Sequence, residues 1–171
     1  MRSSTHRTIA VAVVAVVLAL VAYLGWRHRD ERQILRRLHR LIVLAEKDEP
    51  EGALEAATRA RSLAEAFTEA PEVWLPPVAN GTLTRGELST LIFRARAAAE
   101  TLALRLHDRT FVWAPDRRSA TLKFAAEIRF RMGHEEDRIF RNVRTGWIRS
   151  SSGWQLSTVV AEETLRPLPE P

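Results

Sequence analysis

The 171-residue chain has no cysteine and a formal charge of +5 at neutral pH, so a disulfide framework, a thiolate nucleophile and a cysteine-based zinc site are all excluded. The charge is unevenly spread. Arg2, Arg7, Arg27, Arg29, Arg32, Arg36, Arg37 and Arg40 stand against Asp30 and Glu31, which leaves the remainder near neutral at about −1. A basic excess confined to the N-terminal part is not the footprint of a nucleic-acid binder, and no nucleic-acid partner is expected.

After a short tail (residues 1–7), Thr8 to Trp26 reads TIAVAVVAVVLALVAYLGW without a charge. As a helix it would rise about 28 Å, enough to cross a hydrocarbon core. Tyr23 and Trp26 fall at one end, where amphipathic rings favour the headgroup region. Arg2 and Arg7 also suit the basic start of a cleaved signal peptide. The apolar run is long for that role, however, and cleavage after Ala22 would put Leu20 where a small residue is preferred. The reading is an uncut transmembrane anchor, with the membrane as partner. The arginines C-terminal to the run would hold the domain in the cytoplasm, whereas the short tail suits a signal anchor that exports its domain.

From Asp30 the pattern turns amphipathic. Ile34, Leu35, Leu38, Leu41, Ile42 and Ala45 recur at helical spacing, with Arg32, Arg36 and Arg40 off the stripe. Pro50 is placed to open a second helix, with Leu54, Ala57, Ala60, Ala64 and Phe67 as its stripe. Glu72 to Leu75 reads as a short strand stopped by Pro76 and Pro77, and Asn80-Gly81 as a tight turn. That turn accounts for the glycosylation-like triplet ending at Thr82. Thr84-Arg85-Gly86-Glu87 is a capping box, and the helix it opens carries Leu88, Leu91, Ile92, Ala95 and Ala99.

Strands come next. Leu102, Leu104 and Leu106 alternate, but the phase slips before Phe111 and Trp113, which predicts a bulge near Asp108. Residues 115–118 turn the chain into its most regular stretch. There Ala120, Leu122, Phe124, Ala126, Ile128, Phe130 and Met132 point one way, and Thr121, Lys123, Glu127, Arg129 and Arg131 the other. Gly133-His134-Glu135-Glu136 is a polar hairpin tip. Ile139, Val143, Thr145 and Trp147 alternate in the next strand, and Trp154, Leu156, Thr158 and Val160 in the last. Pro167 and Pro169 end the order, with residues 166–171 a disordered tail.

Helix, helix, short hairpin, capped helix and a meander of long strands, with GTLTRGEL opening a helix and GWIRSSSGWQLSTVV closing the sheet, resembles the nuclear transport factor 2-like (SnoaL-like) superfamily from about Asp30 to Thr164. The resemblance implies an α+β fold: a cone-shaped, curved antiparallel sheet packed against three helices, spanning residues 30–165. It is similar to members that carry an N-terminal bacterial anchor, which implies a single pass through an inner membrane with the domain on the periplasmic side. Enzymes of the superfamily, such as ketosteroid isomerases and polyketide cyclases, use an Asp or His base with a Tyr or Asp partner.

Against that pattern, the only tyrosine is Tyr23, inside the apolar run. His107 and Asp108 are the candidates for a base, but neighbours along a strand face opposite sides and cannot form a dyad unless a bulge falls between them. His134 with Glu135, Glu136 and Asp137 matches no metal-ligand spacing, so no metal and no cofactor is expected. Trp74, Leu91, Trp113, Phe124 and Ile128 are the expected lining of an apolar pocket. The functional expectation is a membrane-tethered, non-catalytic binding or protein-interaction module, with a homodimer or a protein partner meeting the outward sheet face. The alternative is an isomerase or cyclase using Asp108 or His107.

Overall fold

The computed structural model describes residues 29–133 and 135–162. The apolar run Thr8–Trp26, His134 and the C-terminal prolines lie outside the described residues. No helix among the described residues is long and apolar enough to cross a membrane. The chain divides into two units, Met1–Arg37 and Leu38–Pro171. A first helix, α1 (29–45), runs through the boundary, and the second unit holds all the rest.

That unit carries α2 (Ala53–Ala64), β1 (Phe67–Leu75), β2 (Ala79–Thr82), α3 (Arg85–Ala98), β3 (Thr101–Trp113), β4 (Ser119–Met132), β5 (Glu135–Ser150) and β6 (Gly153–Glu162). The strands form one curved six-stranded sheet in the order β2-β1-β6-β5-β4-β3. It is mixed, not wholly antiparallel, because β1 pairs with β6 in parallel. The strand at β1 also starts earlier than Glu72. Its parallel partner supplies the reason, since Leu156 N–H donates to Ala66 O at 3.0 Å and Phe67 pairs with Leu156.

Apolar burial organises the helices as it does the strands. In α1, Ile34 and Leu38 are buried and Arg32, Arg36 and Arg40 exposed, as the stripe predicts. In α2 the predicted stripe holds only in part: Ala60 and Ala64 are buried as expected, but Leu54 is 84% exposed and Ala57 is exposed, while Ala56 and Leu63 are buried instead. Alanines at 53, 56, 57, 60 and 64 give every side of this helix an apolar look, so the orientation turns on which of its two leucines is buried, and it is Leu63. The helix starts at Ala53 after Gly52, not at Pro50. Asn80-Gly81 is not the turn either. The prolines make it at 76–78, and Asn80 and Gly81 pair with Trp74 and Val73 inside β2. The capping box is present, Thr84 Oγ1 accepting from Glu87 N–H and Glu87 accepting from Thr84 N–H.

The C-terminal ends of α1 and α3 cap each other. Arg96, 2% exposed on α3, donates to Leu44 O and Ala45 O at the end of α1, at 2.8 and 2.7 Å. Its other nitrogens grip Glu51 in a two-point pair at 2.7 and 2.8 Å. Lys47, just beyond α1, reciprocates by donating to Arg96 O and Ala99 O, at 3.0 and 2.6 Å. Four carbonyls that a helix end leaves without an internal partner are thereby satisfied by buried cations, where the helix dipole also favours them. Ala95, expected on the buried stripe of α3, is exposed, because the helix turns Arg96 inward instead.

Candidate functional site

Residues directly opposite each other in a sheet share a face, so the register sorts the side chains. One face carries the row Phe111–Leu122–Thr145–Val159–Val73 and, one step along, Trp113–Ala120–Trp147–Leu156. Leu122, Trp147, Leu156 and Val73 are buried, and Val73 packs with Ala64 of α2 and Leu88 of α3. Trp113 stacks on Phe111 and meets Trp154 edge-on, with ring centroids 5.9 and 5.7 Å apart. The polar atoms on this face answer one another: Trp147 Nε1 donates to Thr145 Oγ1, which donates to Leu122 O. Among the described residues, every buried side-chain nitrogen and oxygen has a hydrogen-bond partner.

The bulge expected near Asp108 exists, with the register slipping between His107 and Thr110 and Asp108 at φ 53°. It does not join the two residues. His107 is half-exposed on the polar face, opposite Ala125, where its Nε2 lies 3.3 Å from Glu127 Oε2. A second bulge in β6 moves Ser157 out of register, so Val159 and Ala161 take the apolar face in place of Thr158 and Val160.

Glu127 is the surprise of the polar face. Alternation places it among solvated charges, yet it is only 3% exposed. Arg129 Nε and Arg138 Nε lie 2.7 and 2.9 Å from its Oε1, and the Arg138 guanidinium sits 4.6 Å above the Phe140 ring, directly opposite Glu127 in the register. The aromatic ring and the arginine stems cover the carboxylate. Burial alone would raise its pKa. Hydrogen bonds from Arg129, His107 and Arg138 outweigh that and hold it at about 2, against 4.5 ordinarily. Glu127 is therefore a fixed anion at neutral pH and not a proton acceptor. Sequence reasoning missed it. The available signal was register: Arg129 and Arg138 stand directly opposite each other, and two like charges at that spacing need an anion between them.

Beside this cluster the polar face dips into a depression of about 300 Å³. Its walls include Asp108, Lys123, Asn142, Arg144 and Glu162, with Ala125 on the floor. Ala125 stands between His107 and Asn142, so a methyl group among long side chains makes the hollow.

The five predicted pocket residues do not line one cavity. Trp113, Phe124 and Ile128 share the apolar face. Trp74 is 48% exposed on the opposite face, paired with Val160, and Leu91 borders an outer groove with Val78, Leu83 and Arg94. Among the described residues no group of three or more His, Cys, Asp or Glu side chains is placed to hold a metal ion.

No protein-family model matches the sequence, and no curated protein matches it. The likeness is to solved structures, and it is one of fold. A protein of cystatin-like fold from Novosphingobium aromaticivorans, described as NTF2-like, is 19% identical with a TM-score of 0.59, over 86% of each chain. A candidate scytalone dehydratase from the same organism is 11% identical with a TM-score of 0.62, over 81% of this chain and 89% of that one. A candidate dehydratase of the NTF2-like family from Streptomyces avermitilis is 17% identical with a TM-score of 0.54, over 65% and 87%. The fold is NTF2-like. These neighbours include proteins described as dehydratases, and a shared fold of this kind hosts many activities.

Proposed function

We propose that this chain is a membrane-tethered binding module of NTF2-like fold that acts through the outward face of its sheet and performs no catalysis. The observation that carries the reading is the make-up of that face. Of the large apolar side chains left exposed, Trp74, Val112, Phe140 and Ile148 all belong to it. In register order, Val112 and Ile148 lie to one side of the depression over Ala125 and Phe140 to the other. Apolar anchors around a charged centre are the composition of a recognition surface. A protein partner or a second copy of the chain would meet this face. The case against catalysis is that His107 is engaged by Glu127 and that the polar groups on the apolar face are bonded to one another.

The tether rests on the uncharged length of Thr8–Trp26. The address it implies is a bacterial inner membrane crossed once, with the domain on the periplasmic side. The test is made on the full chain in a bacterial host. It should remain with membranes in alkaline carbonate, keep an intact mass that starts at Met1 or Arg2, and be digested by protease added to spheroplasts. A mature chain beginning near Tyr23 would remove the tether, and protection from protease would reverse the orientation.

One observation favours a second reading. The Asp108 side chain lines the depression without a hydrogen bond or ion pair to a described residue, which is the condition of an available base in an isomerase- or cyclase-type enzyme.

A further inference from the structure

We propose that the depression over Ala125 binds a small zwitterion, a molecule bearing a carboxylate and an ammonium group close together, such as a free α-amino acid. This rests on reading the domain as a binding module and names what the centre of its outward face takes.

Two pairs of cations stand directly opposite each other on this face, and they are treated differently. Arg129 and Arg138 are bridged by the buried carboxylate of Glu127. Lys123 and Arg144 are also directly opposite, and neither makes an ion pair or side-chain hydrogen bond with a described residue. Like charges at this spacing repel, and an anion between them removes the penalty. The protein has carboxylates at hand, for Asp108 and Glu162 line the same hollow, yet neither closes to salt-bridge distance of a described cation. Asn142, opposite Glu162, is likewise without a bonded partner among the described residues.

The lining therefore holds two positive and two negative groups, unpaired among themselves, around the short side chain of Ala125, with Phe124 and Val143 also bordering the hollow. A simple anion would gain Lys123 and Arg144 but face Asp108 and Glu162. A simple cation would meet the reverse. Only a ligand with both signs and no net charge satisfies all four, and charge-assisted hydrogen bonds of this kind are the stronger ones. A volume of about 300 Å³ lies at the small end of ligand sites, which suits a molecule of amino-acid size.

The experiment uses the full chain, ¹⁵N-labelled, in a non-ionic detergent, titrated with L-alanine while amide resonances are followed. The expected result is a saturable shift of the amides at 123–125 and 142–144, with a Kd of about 1 mM, the scale set by so few contacting atoms. Acetate and methylammonium should each bind at least about tenfold more weakly. The double variant Lys123→Gln, Arg144→Gln should lose binding by about tenfold or more while its remaining amide spectrum is unchanged. Ala125→Leu, which fills the floor and keeps every charge, should abolish it. The proposal is overturned by an absence of saturable shifts, by acetate binding as well as L-alanine, or by undiminished binding to either variant. Absence of shifts would leave the module reading standing. Chemical conversion of L-alanine in the tube would overturn the non-catalytic reading and leave the site intact.

Discussion

Replacing Arg96 with methionine should be among the most damaging single changes available to this domain. Methionine keeps the length and apolar stem of the side chain, so what is lost is the guanidinium. That removes two bonds to the carbonyls closing α1 and the two-point pair with Glu51, whose side chain is only 5% exposed. Removing one partner of a buried ion pair costs about 3–5 kcal/mol, because the other charge stays behind without compensation. Against a total stability of about 5–15 kcal/mol this is a large fraction, and it corresponds to a fall in Tm on the order of 10–20 °C. Urea and thermal unfolding of the full chain in detergent measure it. The specific test of the cause is a second substitution. If the cost is an orphaned carboxylate, Glu51→Gln on the Arg96→Met background should recover part of it, so that the two changes together cost less than their sum. The pH dependence obeys the same logic. The Arg96 hydrogen bond lowers the pKa of Glu51 below 4.5, with Lys47 and Arg59 adding to it and burial opposing. A carboxylate whose folded pKa is depressed contributes stability that is present above its unfolded pKa and lost as pH falls through the folded one. The gap between wild type and Arg96→Met should therefore narrow below about pH 4.5. A cost under about 1 kcal/mol, or full additivity with Glu51→Gln, would refute the reasoning.

Phe124→Ala, on the buried face of β4, should cost about 3–5 kcal/mol in chemical unfolding with the m-value unchanged. A loss below about 1 kcal/mol would mean that the ring does not fill core volume. Glu127→Gln should lower Tm at pH 7, and because the folded pKa is depressed to about 2 the deficit should shrink as pH drops from 4.5 toward that value. A deficit that grows on acidification would contradict the ion-pair account. Asp108→Gly should be neutral or stabilising by up to about 1 kcal/mol, since φ 53° suits glycine, whereas Asp108→Val should destabilise the hairpin. Equal Tm values for the two variants would show that the bulge carries no backbone strain.

The fold was legible wherever the pattern was long. The alternation in β4, broken only at Ala125, places its apolar face, and the capping box at residues 84–87 marks the start of α3 through atoms that must be satisfied. Legibility failed where the deciding information lay elsewhere in the chain. Alanine on every side of α2 leaves its orientation to whichever neighbour accepts Leu63. The early start of β1 depends on hydrogen bonds offered by β6, nearly ninety positions away along the chain, with about as much sequence between them as a small domain contains. The slip at Ser157 reverses Thr158 and Val160, because one extra residue moves every later side chain to the other face. Arg96 sits at a position where helical periodicity demands an apolar residue, and only the nearby end of α1 explains its burial.

For the candidate site, composition told less than register. Lys123, Glu127, Arg129 and Arg131 read in sequence as one solvated stripe of mixed charge, and nothing within β4 distinguishes them. The neighbours do. Arg138 opposite Arg129 and Phe140 opposite Glu127 turn one carboxylate into a buried counter-ion, which fixes its charge and removes it from any proton transfer. Arg144 opposite Lys123 creates the same repulsion a short distance away, and there no described side chain relieves it. A surface that was only solvated would have no reason to resolve one cationic pair and leave the next beside two idle carboxylates. The difference lies in what fills the space: at Glu127 the protein supplies the anion, and over Ala125 it supplies a hollow. The face that tertiary packing leaves free is therefore also the face with interactions still to be made, and it is there, on the side away from the apolar core, that the function of this fold is to be sought.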